Sequence, residues 1–127
     1  MKVVLANGCF DGLHAGHVTH LQQARRMGDR LVVSVTHDNF VNKGDGRPVF
    51  NYRSRAAVLA ELRCVDEVIV VDTVIQALTY KWPTIFVKGP DYTIDTIEPE
   101  HHEFCRKHGI EIRFTTGEKL SSTALFK

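Results

Sequence analysis

Five short runs, most of them apolar at nearly every position, punctuate the chain: Lys2 to Ala6 (KVVLA), Arg30 to Val35 (RLVVSV), Glu67 to Val71 (EVIVV), Thr84 to Val87 (TIFV) and Glu111 to Thr115 (EIRFT). They are rich in β-branched residues, and strands apolar on both faces are what a parallel sheet covered on both sides requires. Helical spacing fills the intervals. Val18, Leu21 and Ala24 recur three apart between His17 and Met27, and Gly28 is placed to close that helix. Asn51 is positioned to cap a helix through Ala56, Leu59 and Leu62, and Thr73 one through Ile75 and Leu78 that stops at Trp82-Pro83. Pro99 opens a helix that reaches His108 and stops at Gly109, and Ser121 or Ser122 is placed to cap a last one from Thr123 to Lys127.

Strand alternating with helix predicts an α/β fold: a Rossmann-like, doubly wound sheet of about five parallel strands with helices on both faces. The chain of 127 residues suits one domain, 1–127, with its own core. Sheets of this kind bind ligands beyond the carboxyl ends of their strands, where strand order reverses. The stretch NGCFDGLHAGHV, residues 7–18, leaves the first strand at such an end. The longest irregular stretches, 37–49 and 89–98, follow the second and fourth strands. Loops that long in a compact domain are more often functional than idle.

Composition narrows the partners. Sixteen Lys and Arg against fifteen Asp and Glu leave a formal charge of +1, so no global field marks a nucleic-acid or membrane binder, and any anion site must be local. Cys9, Cys64 and Cys105 are odd in number and form no CxxC, which reads as reduced thiols of a cytoplasmic protein. The apolar run of MKVVLANGCF meets Gly and Asp before a signal-peptide core or membrane span is complete, so no membrane partner is expected.

Four clusters carry candidate chemistry. His14 and His17, three apart around Gly16 at a helix start, would make half a zinc site, yet no HExxH or cysteine pair supplies the remaining ligands. Two capping or surface imidazoles are the plainer reading of an isolated HxxH. A helix N-terminus, however, offers free N–H groups and a positive dipole end, and imidazoles there can donate to phosphate oxygens. The sequence has neither GxGxxG after the first strand nor GxxxxGK[ST], so any phosphate is held by other means. Lys43 and Arg47 in NKGDGRPV sit in a glycine-loosened loop that could fold over a polyphosphate, and Arg55, one turn into the next helix, has a fork suited to phosphate. A solvated basic loop is the commoner alternative. Lys88, Asp91 and Tyr92 in VKGPDYT leave the fourth strand, with Lys88 suited to a substrate phosphate or hydroxyl and Asp91 to a metal ion or hydroxyl; a Gly-Pro turn is the alternative. Ser121, Ser122 and Thr123 offer hydroxyls to a phosphate, or simply cap a helix.

Together these segments resemble the cytidylyltransferase-like nucleotidyltransferases, whose hallmark HxGH is here His14-Ala15-Gly16-His17. The likeness continues through KGDGRPVFNYRSRAAVLAELRCVDEV, FVKGPDYT and LSSTALF, in order, over nearly the whole chain. Within the family, KGDGRPV and VKGPDYT look most like heptose 1-phosphate adenylyltransferase domains. The alternative is CTP:glycerol-3-phosphate cytidylyltransferase, which shares the pattern Tyr52 to Arg55 and the segment Leu62 to Val68. Pro90 and the Ser121-Ser122-Thr123-Ala124 segment depart from the family pattern and leave the acceptor open, but not the transfer chemistry.

The resemblance implies transfer of NMP from an NTP, ATP or CTP, to a phosphorylated sugar or polyol with release of pyrophosphate. It implies catalytic roles for His14, His17 and Lys43, and nucleotide contacts from Asn7, Gly8, Cys9, Phe10, Gly16, Arg47, Arg55, Ser121, Ser122 and Thr123. Acceptor contacts fall to Asp11, Lys88, Asp91 and Tyr92. Mg2+ accompanies the triphosphate, no metal is held by protein ligands alone, and the chain forms a homodimer. A nucleotide-binding module without catalysis would be expected to lack one of these groups, and none is missing.

Overall fold

The structure, a computed structural model, describes residues 1–41 and 44–117. Its strands are β1 (Val3–Gly8), β2 (Arg30–Thr36), β3 (Glu67–Val71), β4 (Ile85–Lys88) and β5 (Glu111–Phe114), all parallel, in the spatial order β3-β2-β1-β4-β5. Between them run α1 (Ala15–Arg26), α2 (Tyr52–Ala60), α3 (Val74–Lys81) and α4 (Pro99–His108), with a short 3-10 turn at Asp38–Phe40. The chain winds outward from β1 to β3, then returns to β4 on the other side of β1. The strand order therefore reverses between β1 and β4, and the residues that leave those two strands face each other across the switch point.

Alternation along each strand divides the core. Val4 and Ala6 of β1, Leu31, Val33 and Val35 of β2, and Ile85 and Val87 of β4 pack with Leu21 and Ala24 of α1 and Leu59 of α2. Leu5, Val32 and Phe86 point the other way, against Ala77 and Leu78 of α3 and Cys105 of α4. Both faces are filled, which is why the strands are apolar at successive positions rather than at alternate ones.

Caps fix the helix ends near the site. Asn51 accepts from the Ser54 N–H at 2.9 Å and Thr73 from the Gln76 N–H at 3.1 Å, as their side chains suggest. Gly109 takes the left-handed conformation (φ 68°) after α4. Gly28 has a different duty from the one expected. Met27 is the C-cap of α1, in a right-handed conformation, and a Cβ on Gly28 would come within 2.7 Å of the Lys2 carbonyl oxygen. The expected helix from Thr123 to Lys127 lies outside the described residues. No described helix is long and apolar enough to cross a membrane.

Candidate active site

The turn between β1 and α1 is built around two aromatic rings. Phe10 has a φ of 51° and folds its ring back so that a Cβ on Gly8 would lie 2.8 Å from it. That ring meets the His17 imidazole edge-on, centroids 5.7 Å apart. His14 is the N-cap of α1: its Nδ1 accepts from the Gly16 N–H at 3.0 Å, while its own N–H donates to Nδ1 of His17 at 3.2 Å. The imidazole of His14 lies so close over Gly16 that a Cβ there would sit 2.8 Å from it. The glycine in HxGH thus makes room for the first histidine's ring.

This reciprocal cap decides the chemistry of both rings. A neutral imidazole whose Nδ1 accepts must carry its proton on Nε2. The His14 and His17 rings lie at 34° to each other with centroids 3.9 Å apart, and each has Nε2–H as its remaining ring donor. Capping uses Nδ1 of each ring, so it does not compete with a ligand contact at Nε2.

Two cavities open at the switch point. The larger, about 490 Å³, is bounded by residues 7–12 of the β1–α1 turn, by Arg47, and by Asp91 and Tyr92 after β4. The other, about 390 Å³, lies between Gly16 and Thr19 of α1, Gly89 and Pro90, and Thr116 and Gly117 after β5. His14, His17, His20 and Asp91 border both. The carboxylate of Asp91 has no hydrogen-bond or ion-pair partner among the described residues. Among those residues, too, no three His, Cys, Asp or Glu side chains come together as metal ligands.

His20 escaped the sequence reading. It follows His17 by one helical turn, the same spacing that separates His14 from His17. Its Nδ1 lies 2.7 Å from Thr115 Oγ1, and beside it Gln23 pairs with Thr116, accepting from the Thr116 N–H at 2.7 Å. Burial, with the charges of His17 and Lys88 added, pushes the His20 imidazole down to about 4, so it is neutral at physiological pH.

The remaining expected residues divide by what they touch. Asn7 lines the larger cavity and donates to the Ser34 hydroxyl at 2.7 Å. Gly8, Cys9, Phe10 and Arg47 also line it. Tyr92 does as well, and Lys88, absent from both cavity walls, stands 4.1 Å from the Tyr92 ring centroid and 5.5 Å from that of Phe86. Burial pushes the Lys88 ammonium down, against the pull of Glu98. Lys43, Ser121, Ser122 and Thr123 lie outside the described residues.

Two expected ligand contacts turn inward instead. Asp11 borders the larger cavity, but its carboxylate is only 1% exposed and accepts from Val49 N–H (2.7 Å), Phe50 N–H (2.9 Å) and Arg47 Nε (2.7 Å). It anchors the 44–50 loop. Arg55, expected on the phosphates, is 2% exposed; it donates to the Phe50 carbonyl (3.0 Å), the Cys9 carbonyl (2.6 Å) and the Asp38 carboxylate (2.5 Å). A guanidinium with each nitrogen so committed ties three segments together rather than gripping a ligand. A separate apolar cavity of about 300 Å³ between Phe10, Leu13, Phe50 and Val58 touches Arg55 but gathers no row of donors.

Asp11 yields a pH prediction. Burial raises its carboxyl, but the Phe50 and Val49 N–H groups and Arg47 outweigh that and hold it at about 2, below its ordinary 3.8. Because the folded value is the lower one, its contribution is complete above about pH 4 and disappears as pH falls toward about 2. Unfolding midpoints of the wild type and Asp11→Asn are expected to differ most near neutrality and to converge over that interval. A gap constant with pH would contradict the ionic anchor.

A family model described as cytidylyltransferase-like matches residues 5–125. The bifunctional protein HldE of Azotobacter vinelandii is 48% identical over 126 residues, which cover 96% of this chain and 26% of that protein. Its counterpart in Shewanella loihica is 51% identical over 131 residues, covering 99% and 27%. The chain spans about a quarter of the length of these curated relatives. The crystal structure of the lipopolysaccharide core biosynthesis protein from Thermoplasma volcanium is similar with a TM-score of 0.78 and 31% identity, over 95% of this chain and 99% of that one. Pantothenate synthetase from Thermus thermophilus shares the fold, with a TM-score of 0.60 at 18% identity over 100% of this chain and 62% of its own.

Proposed function

Because the chain belongs to the cytidylyltransferase-like family, we propose that it is a nucleotidyltransferase that moves AMP from ATP to a sugar 1-phosphate, a heptose, and releases pyrophosphate. The observation that carries this reading is the pair of cavities sharing His14, His17 and Asp91. Joining two phosphorylated substrates needs two compartments that meet at charge-stabilising donors. The relation to the HldE proteins and to a lipopolysaccharide core protein supports a sugar acceptor.

The acceptor phosphate attacks the α-phosphorus in line; the new P–O bond forms as the bond to the β-phosphate breaks, and the electron pair leaves with pyrophosphate. No covalent enzyme intermediate is required. Catalysis is positioning and charge stabilisation. His14 and His17 donate Nε2–H to the triphosphate, the dipole of α1 adding to the field. Arg47, with Lys43, covers the phosphates, and Ser121, Ser122 and Thr123 hold the β- and γ-phosphates. A Mg2+ ion bound with the triphosphate would neutralise part of its charge. Asp91, whose carboxylate has no partner among the described residues, would be the side chain to hold such an ion beside the phosphates. Arg55 and Asp11 serve by holding the turn and loop in place. The enzyme acts in the cytoplasm as a homodimer, for which the exposed Val70 and Tyr80 at the β3 edge are the supporting surface.

Pyrophosphate release over a matrix of ATP, CTP, GTP and UTP against heptose 1-phosphate, glycerol 3-phosphate and phosphorylated aminoalcohols tests the assignment. ATP with heptose 1-phosphate is expected to turn over fastest. Activity confined to CTP with glycerol 3-phosphate would replace both substrates.

A further inference from the structure

The row of imidazoles on α1 does not stop at the HxGH motif. We propose that His20 is a third donor of the transfer site, one that touches the phosphoryl group in transit through its Nε2–H. The assignment rests on the transfer reading above.

Geometry supports it in three ways. First, His14, His17 and His20 succeed one another at single-turn spacing, so the row extends about 9 Å along the helix axis. Second, His20 shares with His14 and His17 the distinction of bordering both cavities, which is where a group passing from one substrate to the other must be. Third, Thr115 engages Nδ1 at 2.7 Å, which leaves Nε2 as the ring nitrogen available to a ligand. Thr115 is 4% exposed and its N–H donates to the Lys88 carbonyl at 3.0 Å, so its hydroxyl is held by β4 and β5 together. The role requires the Thr115 hydroxyl to donate to Nδ1, so that the neutral ring of His20 carries its proton on Nε2, the tautomer His14 and His17 also hold.

The role is a hydrogen bond, not a proton transfer. His20 remains neutral throughout, and the electron pair of the breaking bond leaves with pyrophosphate. A preorganised neutral donor at a phosphoryl oxygen helps most where charge shifts in the transition state, so its loss is felt in kcat more than in KM.

Steady-state rates with ATP and heptose 1-phosphate test this in His20→Leu, His20→Gln and Thr115→Val, each checked by its melting curve. His20→Leu is expected to lower kcat by about 10- to 100-fold with either KM changed less than about threefold. His20→Gln, which keeps an N–H donor, is expected to recover most of that loss. Thr115→Val, which releases the tautomer, is expected to lose roughly fivefold in kcat and serves alone if His20→Leu does not fold. A folded His20→Leu with wild-type kcat overturns the assignment, as does a His20→Gln as slow as His20→Leu, or an unimpaired Thr115→Val. If wild type itself releases no pyrophosphate from any substrate pair, the transfer reading fails and takes this one with it; turnover indifferent to residue 20 defeats the His20 role alone.

Discussion

Replacing His17 with alanine is expected to lower kcat by about 10²- to 10³-fold, the loss seen when one preorganised donor to a developing charge is removed. The side chain has two duties that the substitution separates in size. Its Nδ1 accepts from the His14 N–H at 3.2 Å, a capping bond whose removal costs about 1 kcal/mol of stability. Its Nε2–H is assigned to the triphosphate, where the junction of the two cavities holds preorganised donors for developing charge. The melting temperature of the variant should therefore fall by only a few degrees while turnover collapses. Stopped activity with an intact fold, read by pyrophosphate release and thermal unfolding on the same sample, is the expected pair of results. A variant within twofold of wild type in kcat would remove His17 from the chemistry.

Arg55→Leu is expected to be the most destabilising single change at the site, by about 3 kcal/mol, or roughly 10 °C in melting temperature. The cost falls at the lower end for breaking a buried pair because the Asp38 carboxylate is still 29% exposed and regains water. The part-buried Cys9 and Phe50 carbonyls lose their guanidinium donors as well, which adds to the cost. Cys9 belongs to the turn that presents His14, and Phe50 to the loop anchored by Asp11, so activity should fall with stability. Arg55→Lys is expected to rescue little, since one ammonium cannot reach three acceptors in the directions of a planar fork. Equilibrium unfolding in urea checks the magnitude. A midpoint unchanged in Arg55→Leu, together with a weakened affinity for ATP, would return Arg55 to the phosphates.

The architecture was legible because its cause is local. A strand buried on both faces must be apolar at successive positions, and KVVLA, RLVVSV and TIFV are; side chains such as Asn51 and Thr73 cap in a recognisable way. The placement of HxGH after β1 followed from that pattern, as did the expectation of a ligand there. Sequence alone misjudged what depends on convergence of distant segments. Arg55 sits in a basic stretch and looks like a phosphate ligand until Asp38 and two carbonyls are found around it. Asp11 looks free until the 44–50 loop closes on it. Gly28 resembles a helix stop because glycine commonly is one, whereas its reason is the Lys2 carbonyl just before β1. The start of α1 was set late, at His17, because imidazole is not among the usual capping side chains; Ala15 is its first residue and His14 its cap. His20 had a signal, its spacing of three from His17, but a polar residue on an amphipathic helix attracts no notice until Thr115, 95 residues away, arrives beside it.

In the proposed reaction the junction of the two cavities passes an NMP unit from a triphosphate to a phosphorylated sugar. Phosphorus NMR of wild-type protein with ATP, Mg2+ and heptose 1-phosphate measures this directly. The expected spectrum gains a sugar nucleotide diphosphate and pyrophosphate in equal amounts as both substrates decline. Orthophosphate or free AMP appearing instead, with the sugar phosphate unconsumed, would contradict it.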